Sequence, residues 1–169
     1  MNKGFVQLPL VSTTAHGVEG ARDDWCTPQA LFDMLDGEFR FDVDWAASES
    51  NAKADWYMSE EDDALSLDWS GATCWLNPPY GRGVGDWVEK AYVESQKGAT
   101  VVVLVFARTD TAWWHDYAMK AKEIRLIRGR LRFLQDGKER DPAPAPSCVI
   151  VFAPGEHETP VFTSIGRGL

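Results

Sequence analysis

The amino-acid sequence predicts an α/β protein built on a single open, mostly parallel sheet. Three observations carry this expectation. Val101-Val102-Val103-Leu104-Val105-Phe106 is apolar on both faces, as an interior parallel strand must be. Candidate strands alternate with amphipathic helical stretches, and short connections join them. The chain has 169 residues, which suits one domain large enough to bury a core.

The elements follow in order. Residues 1–22 show no sustained periodicity and are expected to form a loose N-terminal arm. Thr27-Pro28 reads as an N-cap followed by proline at the first helical position. Leu31, Phe32 and Leu35 give that helix an apolar stripe, and Gly37 is expected to end it. Phe39, Phe41, Val43 and Trp45 alternate with Arg40, Asp42 and Asp44, a strand pattern, and a second short strand is expected at 54–58. Residues 72–76 read as a buried strand and 84–96 as a helix turning Trp87, Val88, Ala91 and Tyr92 inward. After the strand at 101–106, Asp110 or Thr111 can cap a helix through Trp113, Trp114, Tyr117 and Ala118. Residues 124–127 and 131–134 are further strand candidates, and 148–152 is expected to close the sheet. Pro142 to Pro146 makes an irregular loop before it, and 154–169 is expected to be a C-terminal tail.

Composition narrows the function classes. Cys26, Cys74 and Cys148 are far apart and form no CxxC pair, so neither a disulfide framework nor a metal site is expected. No apolar run reaches membrane-span length and the start lacks a signal-peptide core, so a cytoplasmic protein without a membrane partner is expected. Net charge is −9, but it is unevenly spread. Lys120, Lys122, Arg125, Arg128, Arg130, Arg132, Lys138 and Arg140 face only Glu123, Asp136 and Glu139 between 120 and 140. A basic segment on an acidic body fits either localised phosphate contact or a solvated mixed-charge face.

The most informative residues are Asn77-Pro78-Pro79-Tyr80, which close the apolar run Ala72-Thr73-Cys74-Trp75-Leu76. Each proline locks its own φ, and Pro78 forces Asn77 into an extended conformation. Neither proline donates a backbone hydrogen bond, so the strand must end there. The result is a rigid turn with an amide, a carbonyl and an aromatic ring. It suits a planar substrate bearing an NH2 group, whose two hydrogens the Asn77 oxygen and the Pro78 carbonyl can accept. Accepting both draws the nitrogen lone pair out of conjugation and makes a poor nucleophile reactive. Tyr80 would stack on the ring.

Asn-Pro-Pro-Tyr at a strand end is the catalytic motif of amino-methyltransferases that use S-adenosylmethionine. The wider chain resembles the phage-type DNA N6-adenine methyltransferase (Dam-like) family. The matching stretches are Asp24-Trp25-Cys26-Thr27-Pro28 with Leu31-Phe32, Phe41-Asp42-Val43-Asp44-Trp45-Ala46-Ala47-Ser48 with Asn51-Ala52-Lys53, and Asp62-Asp63-Ala64-Leu65 with Trp69. Ala107-Arg108-Thr109-Asp110, Gly129-Arg130-Leu131-Arg132-Phe133 and Ala143-Pro144-Ala145-Pro146-Ser147 complete the set.

That resemblance implies a Rossmann-like methyltransferase fold, with residues 23–153 as the methyltransferase domain, S-adenosylmethionine as cofactor and double-stranded DNA as partner. A duplex base would have to leave the stack to reach such a site. Asp44 is expected to meet the cofactor's amino group, and Ala46 and Ala47 to permit its close approach. Trp25, Thr27 and Pro28 match the motif that folds over its amino-acid end. Asp63 matches the residue facing its adenine amine, and Glu60 or a neighbouring acid would take the ribose hydroxyls. Asn77 serves both cofactor and target. Arg108, Asp110, Arg128, Arg130 and Arg132 are the DNA-contact candidates, with strand-edge charges and a helix cap as the competing readings. Trp45 departs from the family pattern, which usually has a small or aliphatic residue there. With little room for a separate recognition domain, sequence readout falls to residues 128–146 and loops near 81–85, or to a partner subunit. A homo-oligomer is left open. Alternatives are a methyltransferase acting on RNA adenine, cytosine N4 or a protein glutamine, and a degenerate non-catalytic module.

Overall fold

The computed structural model of the chain describes residues 25–135 and 137–166, and the arm expected at 1–22 lies outside the described residues. Helix α1 is Gln29–Phe39, followed by the short strands β1 (Val43–Asp44) and β2 (Trp56–Tyr57). Strand β3 (Thr73–Leu76), helix α2 (Val84–Gln96), strand β4 (Thr100–Phe106) and helix α3 (Ala112–Asp116) come next. Strand β5 (Glu123–Ile127), the pair β6 (Leu134–Gln135) and β7 (Lys138–Glu139), and strands β8 (Ser147–Phe152) and β9 (Val161–Ile165) complete the described chain.

Seven strands form one sheet in the order β2-β1-β3-β4-β8-β5-β9, while β6 and β7 pair separately. Strands β1 to β4 are mutually parallel and β5 is parallel to β9; β8 alone runs against both its neighbours. The carboxyl ends of β1 to β5 therefore lie along one edge of the sheet. The chain leaves β1 for β2 on one side and returns to β3 on the other, so a switch point opens between β1 and β3.

Alternation along the strands divides the core in two. Val101, Val103 and Val105 face a cluster with Trp45, Trp69, Val88, Ala91 and Trp114. Val102 and Leu104 face Leu31, Phe32, Leu35, Trp75 and Phe133 on the opposite side. Helix α1 thus covers one face and α2 and α3 the other, the layered form expected of an open α/β sheet. Cys74 and Cys148 are fully buried, and burial pushes both thiols up to about 12, so they pack as small hydrophobes. Among the described residues, no helix is long and apolar enough to cross a membrane.

Several expectations are corrected. Helix α1 passes through Gly37 to Phe39 and stops at Arg40, which takes the left-handed conformation at φ 57° while its N–H bonds back to the Asp36 carbonyl. The strand expected over 39–45 shrinks to Val43–Asp44 because Phe39 ends the helix and Phe41 packs against Phe32, Phe39 and Trp75. Residues 131–133 are not a strand: Leu131 and Phe133 are drawn into the core, and pairing resumes only at Leu134. Strand β8 does not close the sheet but lies inside it, bonded on both sides, which explains its six buried residues. The tail expected at 154–169 holds a further strand, since β9 pairs with β5 along the edge. Its exposed Val161, Phe162, Thr163 and Ser164 lack the alternation that would have revealed it.

Candidate active site

Strand β3 stops where its sequence requires. Its last partner on β4 is Val103, whereas β4 runs on to Phe106, so Asn77-Pro78-Pro79-Tyr80 peels away from the sheet above the end of β4. The turn lays the Tyr80 ring on Phe106, with centroids 4.4 Å apart. Trp25 and Phe133 pack around the same ring, each at 5.6 Å. The ring expected to stack on a substrate is therefore packed among protein side chains. Its hydroxyl is buried without a partner, and burial raises its pKa well above the ordinary tyrosine value.

The Asn77 amide is oriented by its surroundings. Its Nδ2 donates to the Trp25 carbonyl at 2.8 Å, and that carbonyl can only accept. Its Oδ1 is left buried and unpartnered. An unsatisfied buried acceptor of this kind costs about 1–3 kcal/mol, which a donor arriving at that point would recover.

Across the switch point stands Asp44, the last residue of β1 and 3 % exposed. Its Oδ1 accepts the Ala46 N–H at 3.4 Å and its Oδ2 accepts the Lys53 N–H at 3.1 Å. Burial raises its pKa to about 6, although both hydrogen bonds act in the opposite direction. The neighbouring Trp45 turns to the other face and stacks on Trp69 at 4.6 Å and 17°, so its large ring stays out of the site.

Thr27 differs from its local reading. The helix begins from Pro28, whose carbonyl accepts the Leu31 and Phe32 N–H groups, so Pro28 and not Thr27 is the capping residue. The Thr27 hydroxyl is buried and makes no hydrogen bond. Trp25, Cys26, Thr27, Asp44, Ala46, Asn51, Lys53, Trp75 and Asn77 together line one narrow cleft. Sequence reasoning had not assigned Asn51 and Lys53 to the site. The signal for them was the polar loop following an aspartate at a strand end, which that carboxylate folds back on itself.

The other candidates lie around the cleft. Ala47 donates its N–H to the Met58 carbonyl, which fixes the strand-end turn. Glu60 and Asp63 stand exposed on the turn after β2 and are not among the cleft-lining residues. Between them, Asp62 is committed to Ser59 in a capping box. Arg108 and Asp110 are exposed just beyond β4, with the Arg108 guanidinium 5.9 Å from the Phe106 ring centroid. Neither Asp110 nor Thr111 caps α3 by its side chain, because the Thr111 hydroxyl bonds back to the Arg108 carbonyl.

Residues 128–146 leave the sheet at the end of β5 and return at the start of β8, on the same edge as the cleft. Arg128, Arg130 and Arg132 are exposed there; Arg130 donates to the Ala143 carbonyl and Arg132 to the Arg140 carbonyl. The basic segment is not one face, however. Arg125 is held by Glu38 and Glu123 through short ion pairs, and Lys120 lies over Tyr92 and Tyr117. Trp25 also lines a second, wider groove with Glu139, Arg140, Asp141, Pro142 and Pro144.

Comparison with known proteins identifies the family of the chain. The family profile described as DNA N-6-adenine-methyltransferase (Dam) matches residues 14–167. The chain is 32% identical over 148 residues to a DNA N-6-adenine-methyltransferase of Haemophilus phage HP1, covering 84% of this chain and 85% of that protein. It is 33% identical over 123 residues to a DNA N-6-adenine-methyltransferase of Escherichia phage T1, covering 72% of this chain and about half, 51%, of that longer protein. The chain belongs to the DNA N-6-adenine-methyltransferase (Dam) family.

Proposed function

We propose that this protein transfers a methyl group from S-adenosylmethionine to the N6 amine of adenine in double-stranded DNA. The observation that carries the site assignment is the buried, unpartnered Asn77 Oδ1, held toward the cleft that Asp44 lines. An acceptor so placed matches an amine that has two hydrogens to give. Strand order supports a Rossmann-like methyltransferase fold, since Asp44 and Asn77 flank the switch point where such sheets bind ligands.

The residues of the cleft suit the cofactor. Asp44 offers a carboxylate to an ammonium group, and the orphaned Thr27 hydroxyl offers a hydrogen-bonding group beside it. Trp25, Thr27 and Pro28 would close over the amino-acid end, while Ala46 and Ala47 leave room for close approach. Glu60 and Asp63, exposed on the turn after β2, would take the ribose hydroxyls and the cofactor's adenine amine. When bound, the cofactor supplies a methyl group on a positively charged sulfur.

Asn77 Oδ1 and the Pro78 carbonyl accept the two hydrogens of the target amine, and Pro79 keeps the turn rigid. This would draw the nitrogen lone pair out of the ring and free it for bonding. On methylation the carbon–sulfur bond would break to leave a neutral sulfur, and the amine would release one of its two protons to solvent. Alignment, more than a strong base, supplies the rate enhancement. The target base must leave the duplex stack and would approach past Trp25, which lines both the wider groove and the cleft with Asn77. Arg108, Arg128, Arg130 and Arg132, exposed on loops beyond β4 and β5, would hold flanking phosphates, and Asp110 would accept from a base edge of the displaced strand. The two phage relatives support a phage or prophage origin and action in the host cytoplasm.

Mass spectrometry of nucleosides from treated duplex, RNA and protein tests the reading. N6-methyldeoxyadenosine is expected from duplex, without N4-methyldeoxycytidine, methylated RNA adenine or methylated glutamine. Any of these appearing in its place overturns the target assignment.

A further inference from the structure

We propose that the main-chain carbonyl of Trp25 is the positioning group that sets which way the Asn77 amide points. The inference rests on reading Asn77 as the acceptor for the target amine. An asparagine amide turned by half a revolution keeps its shape but presents NH2 where oxygen had been, and so repels an amine. Nothing within the Asn77-Pro78-Pro79-Tyr80 turn selects between the two orientations. Trp25 does, because its carbonyl accepts Nδ2 at 2.8 Å and a turned amide would set two oxygens against each other.

The selecting group is itself pinned. Cys26, the next residue, exchanges two hydrogen bonds with Leu134, its N–H donating at 2.9 Å and its carbonyl accepting at 3.0 Å. The Trp25 ring packs 5.1 Å from Phe133 and 5.6 Å from Tyr80. One residue thus bonds the first member of the motif, touches the last, and is anchored to the 128–146 excursion. The orientation of the acceptor is set by chain 52 residues distant in sequence.

The variant Asn77→Asp tests this through the sign of its pH profile. A carboxylate has no hydrogen to give Trp25 and sets an oxygen against that carbonyl. When protonated, the same group restores the pattern: its O–H donates to Trp25 and its C=O accepts from the amine. The ratio of kcat for N77D to that of the unaltered protein is therefore expected to rise as pH falls from about 8 to about 6. Asp44, Lys53 and Cys26 line the cleft with Asn77, and Tyr80 follows in the turn; taking the ratio at each pH cancels the pH dependence that both proteins share. If Asn77 is an acceptor that Trp25 does not orient, the carboxylate is the stronger acceptor and the ratio falls on acidification. A falling or flat ratio in folded, cofactor-binding protein overturns the proposal.

Should N77D fail to fold, Leu134→Pro removes one of the two strap hydrogen bonds. Because Trp25 and Thr27 flank the same strap, kcat is read at saturating cofactor and DNA, where it is expected to fall at least about fivefold. An unchanged kcat overturns the proposal by that route. Failure of the underlying reading shows separately, as turnover retained by Asn77→Ala.

Discussion

Asp44 Oδ2 accepts the Lys53 main-chain N–H at 3.1 Å, so a buried carboxylate at the end of β1 closes the loop behind it while facing the cleft. Burial leaves this group with a pKa of about 6, hence ionised at neutral pH at a cost in stability. The sign follows from linkage: the raised folded value means that its contribution to stability declines as pH rises from 3.8 to about 6. A cation arriving beside it offsets that cost, which is how a binding site differs from a structural carboxylate already paired.

Two outcomes are expected. Asp44→Ala weakens S-adenosylmethionine binding by at least about tenfold, as loss of a hydrogen bond to a charged group costs about 1.5–3 kcal/mol. In the unaltered protein, affinity falls as pH drops through about 6, because the protonated carboxyl no longer attracts an ammonium. Isothermal calorimetry across that range measures both. Unchanged affinity in the alanine variant removes Asp44 from the site.

Asn77→Ala is expected to abolish turnover while leaving cofactor affinity and melting temperature nearly intact. On the proposed reading the lost acceptor acts on the target amine, so the effect belongs in kcat. Single-turnover methylation of duplex decides it, and near-normal rates in the variant sink the catalytic role.

Tyr80→Phe separates packing from hydrogen bonding at the other end of the motif. The hydroxyl is buried and unpartnered, so its removal is expected to raise stability by about 1 kcal/mol. Tyr80→Ala leaves a void among Trp25, Phe106 and Phe133 and is expected to cost about 3–5 kcal/mol. Urea unfolding of the two variants measures the difference; a destabilised phenylalanine variant would show that the hydroxyl has a partner.

Much of this was legible in the sequence where one physical rule acts alone. The apolar run through β4 admits only an interior strand, and two prolines after Leu76 admit only a strand end. The helix Val84–Gln96 was readable from its single apolar face. Elements decided by tertiary pairing were not readable. Exposed β9 exists because β5 offers it a ladder, and β8 reverses direction because its neighbours already run together. In the site, the place of Asn77 at a strand end was readable from the two prolines after it. The burial of Tyr80 was not, because Phe106, Phe133 and Trp25 reach it from three distant segments.

The core opposite α1 contains a buried charge that should govern acid stability. Glu94, on α2, is fully buried and accepts from Lys90, Lys97 and the Trp69 N–H. Burial alone would raise its pKa, but these three partners together hold it below the ordinary value. Its contribution is therefore present above the unfolded pKa and lost as pH falls through the lower folded one. Glu94→Ala, which leaves the Trp69 N–H without its acceptor and removes the carboxylate between Lys90 and Lys97, is expected to cost about 3 kcal/mol. Thermal melts at neutral pH measure this, and an unshifted midpoint would show the cluster to be dispensable.

The last prediction divides the basic segment by geometry. Arg130 and Arg132 are exposed on the cleft edge, where they bond only main-chain carbonyls, and so retain their charge for phosphates. Arg125 spends its guanidinium on Glu38 at 2.6 Å and on Glu123 at 2.9 Å. Arg130→Ala and Arg132→Ala are each expected to weaken duplex binding and to flatten its salt dependence. The log–log slope should fall by about 0.9 for every phosphate left without its arginine. Arg125→Ala is expected to leave DNA affinity nearly unchanged and to lower thermal stability instead. Fluorescence anisotropy at several salt concentrations reads the first effect and melting reads the second. If all three arginine variants bind alike, Arg130 and Arg132 make no phosphate contact and are only part of a solvated face.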